Sequence, residues 1–374
     1  MKKITTLLFT LLVITAQAQD ASTLIAEGLA LKDNKKTSEA LAKFQEAIKL
    51  NPGSAEANYN AGWCLSDLKQ YSQAVDALRQ SRKTWNTVPK VHFELGYAFM
   101  KLEQYDSSKV SFERCRALKP DYKGLDKQLG TLEYNFNNYQ QAIDYYNKAI
   151  ASGNSTEDYL LWYRKGYSEN VLKKFEDAVA SLTKSLEYKS DYKNTYEELG
   201  FAYFKLKQDD NAITNYNKSI ELDPSSHIPY NGIGGVYRDN KKDCVAAMEW
   251  YNKALAKKPN ERKANYGIGY CLNSQSKYNE AIPYLIKAIE YEPTYVAAFV
   301  DLGYSYYAIS DYNLAETNLK KAISLDAANQ NARYYLGLVY IKQGYRERAQ
   351  QMVNELNSLG SKSAETLQKK IDGM

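Results

Sequence analysis

At 374 residues the chain is long enough for two or three ordinary domains, and its 44% hydrophobic and 25% charged content excludes intrinsic disorder and collagen-like sequence. Lys and Arg number 49 against 44 Asp and Glu, a formal +5 spread along the chain rather than clustered, which argues against a nucleic-acid binder. Two histidines leave little room for a His-based metal site or general base, whereas 34 tyrosines are a clear excess.

The first element is an export signal. Lys2 and Lys3 precede an apolar run from Thr5 to Ala16, and Ala16-Gln17-Ala18 is a small-x-small cleavage site. The run is short for a bilayer span and ends in a processing site, so residues 1–18 are expected to be a secretory signal peptide. An exported protein, periplasmic or secreted, follows as the expected localisation. No cysteine lies at the cleavage site for lipid attachment. No later stretch approaches eighteen apolar residues, so no membrane span is expected in the mature chain.

Beyond the signal one period runs through the chain. Glycines recur at Gly28, Gly62, Gly96, Gly130, Gly166, Gly200, Gly234, Gly269, Gly303 and Gly337, 34 residues apart except for 36 before Gly166 and 35 before Gly269. A small residue follows twelve places later, as in Ala40, Ala74, Ser108 and Ala142. Four places further stands a large apolar one, as in Phe44, Leu78, Phe112 and Tyr146. Pro52, Pro120, Pro224, Pro259 and Pro293 close units. The apolar pattern has a helical period interrupted by short polar turns, so each unit reads as two helices. Gly and Ala at the crossing let the two backbones approach, and the bulky residue fills the space beside them. A lone pair cannot bury its apolar stripe, so the pairs must stack.

These positions resemble the tetratricopeptide repeat, in which Leu-Gly, Tyr, Ala, Phe and Pro stand at fixed places. The resemblance covers residues 21 to about 360. It implies an all-α, right-handed superhelical solenoid of helix-turn-helix repeats, with ten repeats over 19–360. Repeat five is preceded by two extra residues within Ala151–Thr156, where an irregularity is expected. Repeat seven carries one extra residue, which moves its later positions to Ala247, Tyr251 and Ala254. The tenth unit's second helix is expected over Arg346–Ser358. Residues 361–374 are expected to form a solvated C-terminal capping helix, with Leu367 and Ile371 on one stripe.

No catalytic constellation emerges, so the chain is read as non-enzymatic, with no cofactor and no metal. Gly232-Ile233-Gly234 and Gly267-Ile268-Gly269 lack the third glycine and preceding strand of a dinucleotide loop. His92 and His227 lie far apart along the chain. Scattered carboxylates such as Glu197-Glu198 read as solvated helix faces. Among the four cysteines, Cys244 begins a second helix and Cys271 ends the following first helix, places that meet in a stacked antiparallel pair. Either Cys244 and Cys271 form a disulfide joining repeats seven and eight, or all four cysteines are small core residues.

With each repeat glycine numbered eight, positions 2, 5, 9 and 12 form a face about 130° away from the packing face. The resemblance implies that this face lines a concave groove for partner peptides. Fourteen of the forty sites are aromatic, well above the 13% of the whole chain. They are Tyr59, Trp63, Phe93, Tyr97, Tyr134, Tyr163, Tyr167, Phe201, Phe204, Tyr266, Tyr270, Tyr304, Tyr307 and Tyr334. Such rings serve either a partner in the groove or the packing of one repeat on the next. Repeats four and seven break the wall, and Lys127 and Arg238 there are candidates for an acidic ligand group. The expected function is a protein–protein interaction scaffold binding an extended peptide or partner protein. The same face would also suit a carbohydrate or cell-wall glycan.

Overall fold

The computed structural model describes residues 20–153 and 157–373; the expected signal peptide lies outside them. The described chain divides into two compact units, one ending at Tyr188 and the other starting at Lys189.

The first unit holds repeats one to five. Its helices are α1 (20–33), α2 (Thr37–Leu50), α3 (Ala55–Asp67), α4 (Tyr71–Thr84), α5 (Pro89–Lys101), α6 (Tyr105–Leu118), α7 (Leu125–Asn135), α8 (Tyr139–Ala151), α9 (Tyr159–Val171) and α10 (Phe175–Tyr188). The second unit holds repeats six to ten as α11 (Lys193–Lys205), α12 (Asp209–Leu222), α13 (Ile228–Gly235), α14 (Cys244–Lys257), α15 (Arg262–Ser274), α16 (Tyr278–Tyr291), α17 (Val296–Ala308), α18 (Tyr312–Leu325), α19 (Gln330–Lys342) and α20 (Arg346–Ser358). Helix α21 (Ser363–Asp372) follows. The bounds expected for α20 agree with this order.

The glycine spacing has a steric cause. A Cβ added at Gly28 would lie 2.6 Å from the Phe44 ring, and one at Gly96 would lie 2.5 Å from Phe112, so no larger residue fits without displacing the core. The small residues twelve places on, such as Ala40, Ala74, Ala142 and Ala212, are fully buried. Ser108 substitutes among them by donating its hydroxyl to the Gly96 carbonyl at 2.8 Å, which satisfies a buried polar atom. In the tenth repeat Leu367 of α21 takes up the glycine contact, 2.3 Å from a Cβ built on Gly337. Helix α21 is therefore docked rather than merely solvated, with Ala364, Leu367 and Ile371 buried.

The turns between paired helices share one conformation. The residue seven places after the repeat glycine is left-handed in every unit but one, as at Lys69 (φ 62°), Lys207 (φ 57°) and Gly344 (φ 78°). The next amide closes the first helix by reaching five residues back, as Gln70 to the Leu65 carbonyl at 2.8 Å and Gln208 to Tyr203 at 2.9 Å. Repeat seven differs. Its extra residue widens the end of α13 into a π-helical turn over Val236–Lys241, and the left-handed residue moves to Lys242.

Within each unit the first helices of successive repeats touch directly: α3 on α5, α5 on α7 and α7 on α9, then α11 on α13, α13 on α15, α15 on α17 and α17 on α19. They form one layer of each stack, and the positions predicted to face a groove lie on them. Charged residues also enter the core. Lys165, where other repeats carry Leu95, Leu129 or Ile233, is half-buried in α9 and paired with the buried Glu169 and the Ser181 hydroxyl. Glu197, read from sequence as solvated, is also buried. It accepts from Ser219 Oγ at 3.2 Å and Ser226 Oγ at 3.0 Å, because the turn after α12 folds over it.

Candidate functional site

In the first unit the expected wall begins with an exception. Tyr59 is buried, with Trp85 at 6.1 Å centroid distance and Lys90 Nζ over both rings at 4.4 and 4.7 Å. The bulky Trp85 after α4 seals it, so Tyr59 is a framework residue. Trp63 stays half-buried beneath Lys32 Nζ at 4.2 Å. Phe93 is also half-buried, but it packs on Phe112 and Tyr122 (5.8 and 4.9 Å) and so serves packing more than the open face. Tyr97, Tyr134, Tyr163 and Tyr167 are half-buried. The last three join Tyr139 in a ladder, with Tyr134–Tyr167 at 5.5 Å, Tyr139–Tyr167 at 5.9 Å and Tyr163–Tyr167 at 6.4 Å.

The second unit repeats the arrangement. Phe201 and Phe204 are half-buried under Lys205, at 5.4 and 4.9 Å. Tyr304, Tyr307 and Tyr334 are half-buried. Tyr266 packs edge-on against Tyr295 at 4.9 Å, and Tyr270 is the exposed member of the set at 41%.

Sequence reasoning missed a second tier of rings. The first residue of a second helix lies against the position-nine ring of the next repeat, as Tyr71 on Tyr97 (6.4 Å), Tyr139 on Tyr167 (5.9 Å) and Tyr278 on Tyr304 (5.7 Å). Tyr312 instead meets Tyr307 of its own repeat at 6.2 Å. The recurrence of Tyr at that place was the available signal. Where the tier holds Cys244 instead, no ring of that tier lies on the following Tyr270, which meets Tyr266 of its own helix at 6.2 Å and is left exposed.

The two cationic candidates are both engaged. Lys127 Nζ lies 2.9 Å from Asp158, which also caps α9 by accepting from the amides of Leu160 and Leu161. Arg238 grips Asp239 with two bonds of 2.6 and 2.8 Å. Its guanidinium also lies 5.5 Å from both Tyr266 and Tyr270. Repeat seven, which has no ring at its four predicted groove positions, thus borrows the rings of repeat eight. The π-helical turn sets this geometry, since Arg238 and Asp239 both lie in it.

Two half-buried carboxylates stand two residues before their repeat glycines. Burial pushes Glu94 up to about 7 against the opposing charge of Lys32. It pushes Asp301 up to about 6, against the Tyr266 hydroxyl and Arg238. The Gly-Ile-Gly motifs prove to be packing devices. A Cβ on Gly232 would lie 2.3 Å from Tyr216, and one on Gly267 would lie 2.4 Å from Tyr251, so each tyrosine sits between glycines of two repeats.

All four cysteines are free thiols, so the bridge expected between Cys244 and Cys271 is not formed in this structure. The two residues are nevertheless neighbours, since the Ser274 hydroxyl lies 3.3 Å from Cys244 Sγ and 2.7 Å from the Cys271 carbonyl. Among the described residues no group of three or more His, Cys, Asp or Glu could hold a metal ion. No described helix is long and apolar enough to cross a membrane.

Tetratricopeptide repeat models match residues 31–84, 89–122, 127–193, 263–295 and 300–349, and a TPR repeat model matches 202–240. The TPR repeat-containing protein YpiA of Bacillus subtilis (strain 168) is 34% identical over 90 residues, 24% of this chain and 21% of that protein. The match therefore spans only about a fifth of that relative's length. Among solved structures, the APC/C hetero-tetramer Cut9-Hcn1 aligns with a TM-score of 0.53 at 12% identity, covering 94% of this chain and 90% of that one. PilW, a type IV pilus biogenesis factor, aligns at 0.51 and 19% identity, covering 56% of this chain and 97% of that one. At such identities these likenesses establish the fold alone. With the repeat models spread along most of its length, the chain belongs to the tetratricopeptide repeat family.

Proposed function

We propose that this protein is an exported, non-enzymatic scaffold that binds an extended protein segment along the tyrosine-lined face of its first helices. Tetratricopeptide repeats generally mediate protein–protein interaction, which supports the coarse reading. The observation that carries the finer one is the state of the rings. On the first helices most of them are half-buried against neighbouring rings, edge-on at Tyr134, Tyr266 and Tyr304 and tilted at Tyr163 and Tyr307, so they offer apolar area with a hydroxyl at the rim. Little rotamer freedom remains to be lost when a partner docks.

The test is a photo-crosslinking residue placed at Asn231, beside Arg238 on the same face, in the native host. Proteins captured by the wild-type chain should be lost when Tyr163, Tyr167 and Tyr270 are replaced together by Ala, with helicity retained. Unchanged capture would remove the groove reading, and selective retention on a glycan array would favour a sugar ligand instead. Export is tested by sequencing the mature N-terminus, which should begin after Ala18.

A further inference from the structure

Repeat seven holds Cys244 at the place in the ring tier where α4, α6, α8 and α16 begin with Tyr71, Tyr105, Tyr139 and Tyr278, and the substitute is chemically reactive. Cys244 is the first residue of α14, just after Asp243, whose carboxylate accepts from the amides of Val245 and Ala246. Cys271 lies near the end of α15, buried, while Cys244 is half-buried. The Ser274 hydroxyl ties the two ends together, lying 3.3 Å from Cys244 Sγ and 2.7 Å from the Cys271 carbonyl. Burial and the neighbouring Cys244 push the Cys271 thiol up, so the more accessible Cys244 is the one to react first with a dissolved reagent.

We propose that Cys244 and Cys271 are a dithiol that closes to an intramolecular disulfide by exchange with a low-molecular-weight disulfide. Cys244 loses its proton to solvent and attacks one sulfur of the reagent. The reagent's S–S bond breaks, and one thiolate leaves and takes up a proton. Cys271 then loses its proton and attacks Cys244 Sγ in the mixed disulfide, expelling the second thiolate. Two protein thiols are oxidised and one disulfide is reduced to two thiols, which balances the exchange. The bridge ties α14 of repeat seven to α15 of repeat eight next to Tyr270 and the π-helical turn. It stands independently of any ligand on the tyrosine face.

The experiment treats the folded full chain with oxidised glutathione, alkylates remaining thiols after unfolding, and maps the peptides by mass spectrometry. The expected result is one cross-linked peptide pair containing Cys244 and Cys271, with Cys64 and Cys115 alkylated. The melting midpoint should rise by on the order of 5 °C and fall back on reduction. Cys271→Ala, which restores the residue found at Ala30, Ala98 and Ala202, should instead retain glutathione on Cys244. Four alkylated cysteines, a stable glutathione adduct on the wild-type chain, or a disulfide between two chains would each overturn the proposal.

Discussion

The amide of Asp243 donates to the carbonyl of Tyr237, six residues back, at 2.9 Å. The corresponding bond spans five residues in the other repeats, as from Gln70 to Leu65. The acceptor keeps its place three residues after the repeat glycine while the donor slips by one, so a single inserted residue is absorbed in one turn. The insertion costs the stack no register, because α14 resumes with Ala247 and Tyr251 buried as in every other unit. Deleting Lys241 should therefore return the turn to five-residue closure. Far-ultraviolet circular dichroism should be unchanged, with the melting midpoint within a few degrees. A collapse of helicity would show that the wide turn is required for folding.

The left-handed turn residues carry a steric cost that glycine would not. Lys69→Gly and Lys207→Gly should each stabilise the chain by roughly 0.5–1 kcal/mol, after the greater freedom of glycine in the unfolded state is deducted. Gly344→Lys should do the reverse. Urea unfolding of the three variants checks the sign.

Tyr216 fills the space between Gly200 and Gly232. Gly232→Ala should cost roughly 1–3 kcal/mol by overpacking. Tyr216→Leu in the same chain should recover much of that loss, since Leu78 and Leu285 are followed by Glu94 and Asp301 at the place of Gly232. A double-mutant cycle with purely additive effects would contradict the contact.

Lys165 and Glu169 are an ion pair in a place built for apolar side chains, with side-chain exposures of 13% and 3%. Lys165→Met leaves Glu169 buried without its cation and should cost roughly 3–5 kcal/mol. Lys165→Leu combined with Glu169→Leu should be neutral or stabilising, because neither charge then needs desolvating. Equal destabilisation of the single and double variants by chemical denaturation would contradict this account.

Glu94 holds its proton more tightly when folded, at about 7 against an ordinary 4.5. The folded state thus binds more protons than the unfolded chain between these values, and stability from this group is present below pH 4.5 and lost as pH rises through about 7. The loss is at most roughly 3 kcal/mol. Glu94→Gln should flatten the decline in stability between pH 5 and pH 8 measured by urea unfolding. Asp301 adds a second decline ending near pH 6.

The repeat itself was legible residue by residue. Gly, small residue and bulky residue recur because two helices can cross closely only there, and that requirement is local to each pair, so periodicity exposes it. The extra residue of repeat seven and the span of α20 were readable for the same reason. Which rings stay open was not. Tyr59 and Tyr270 occupy groove positions of the same face, yet Trp85 covers one and the small Cys244 uncovers the other. Exposure depends on what the next stacked element brings, and helical phase alone does not contain it. The burial of Glu197 beneath Ser226, the contact of Lys165 with Ser181 of the next helix, and the pairing of Arg238 with repeat eight's rings were likewise decided by tertiary packing, because each partner arrives from another element of the stack.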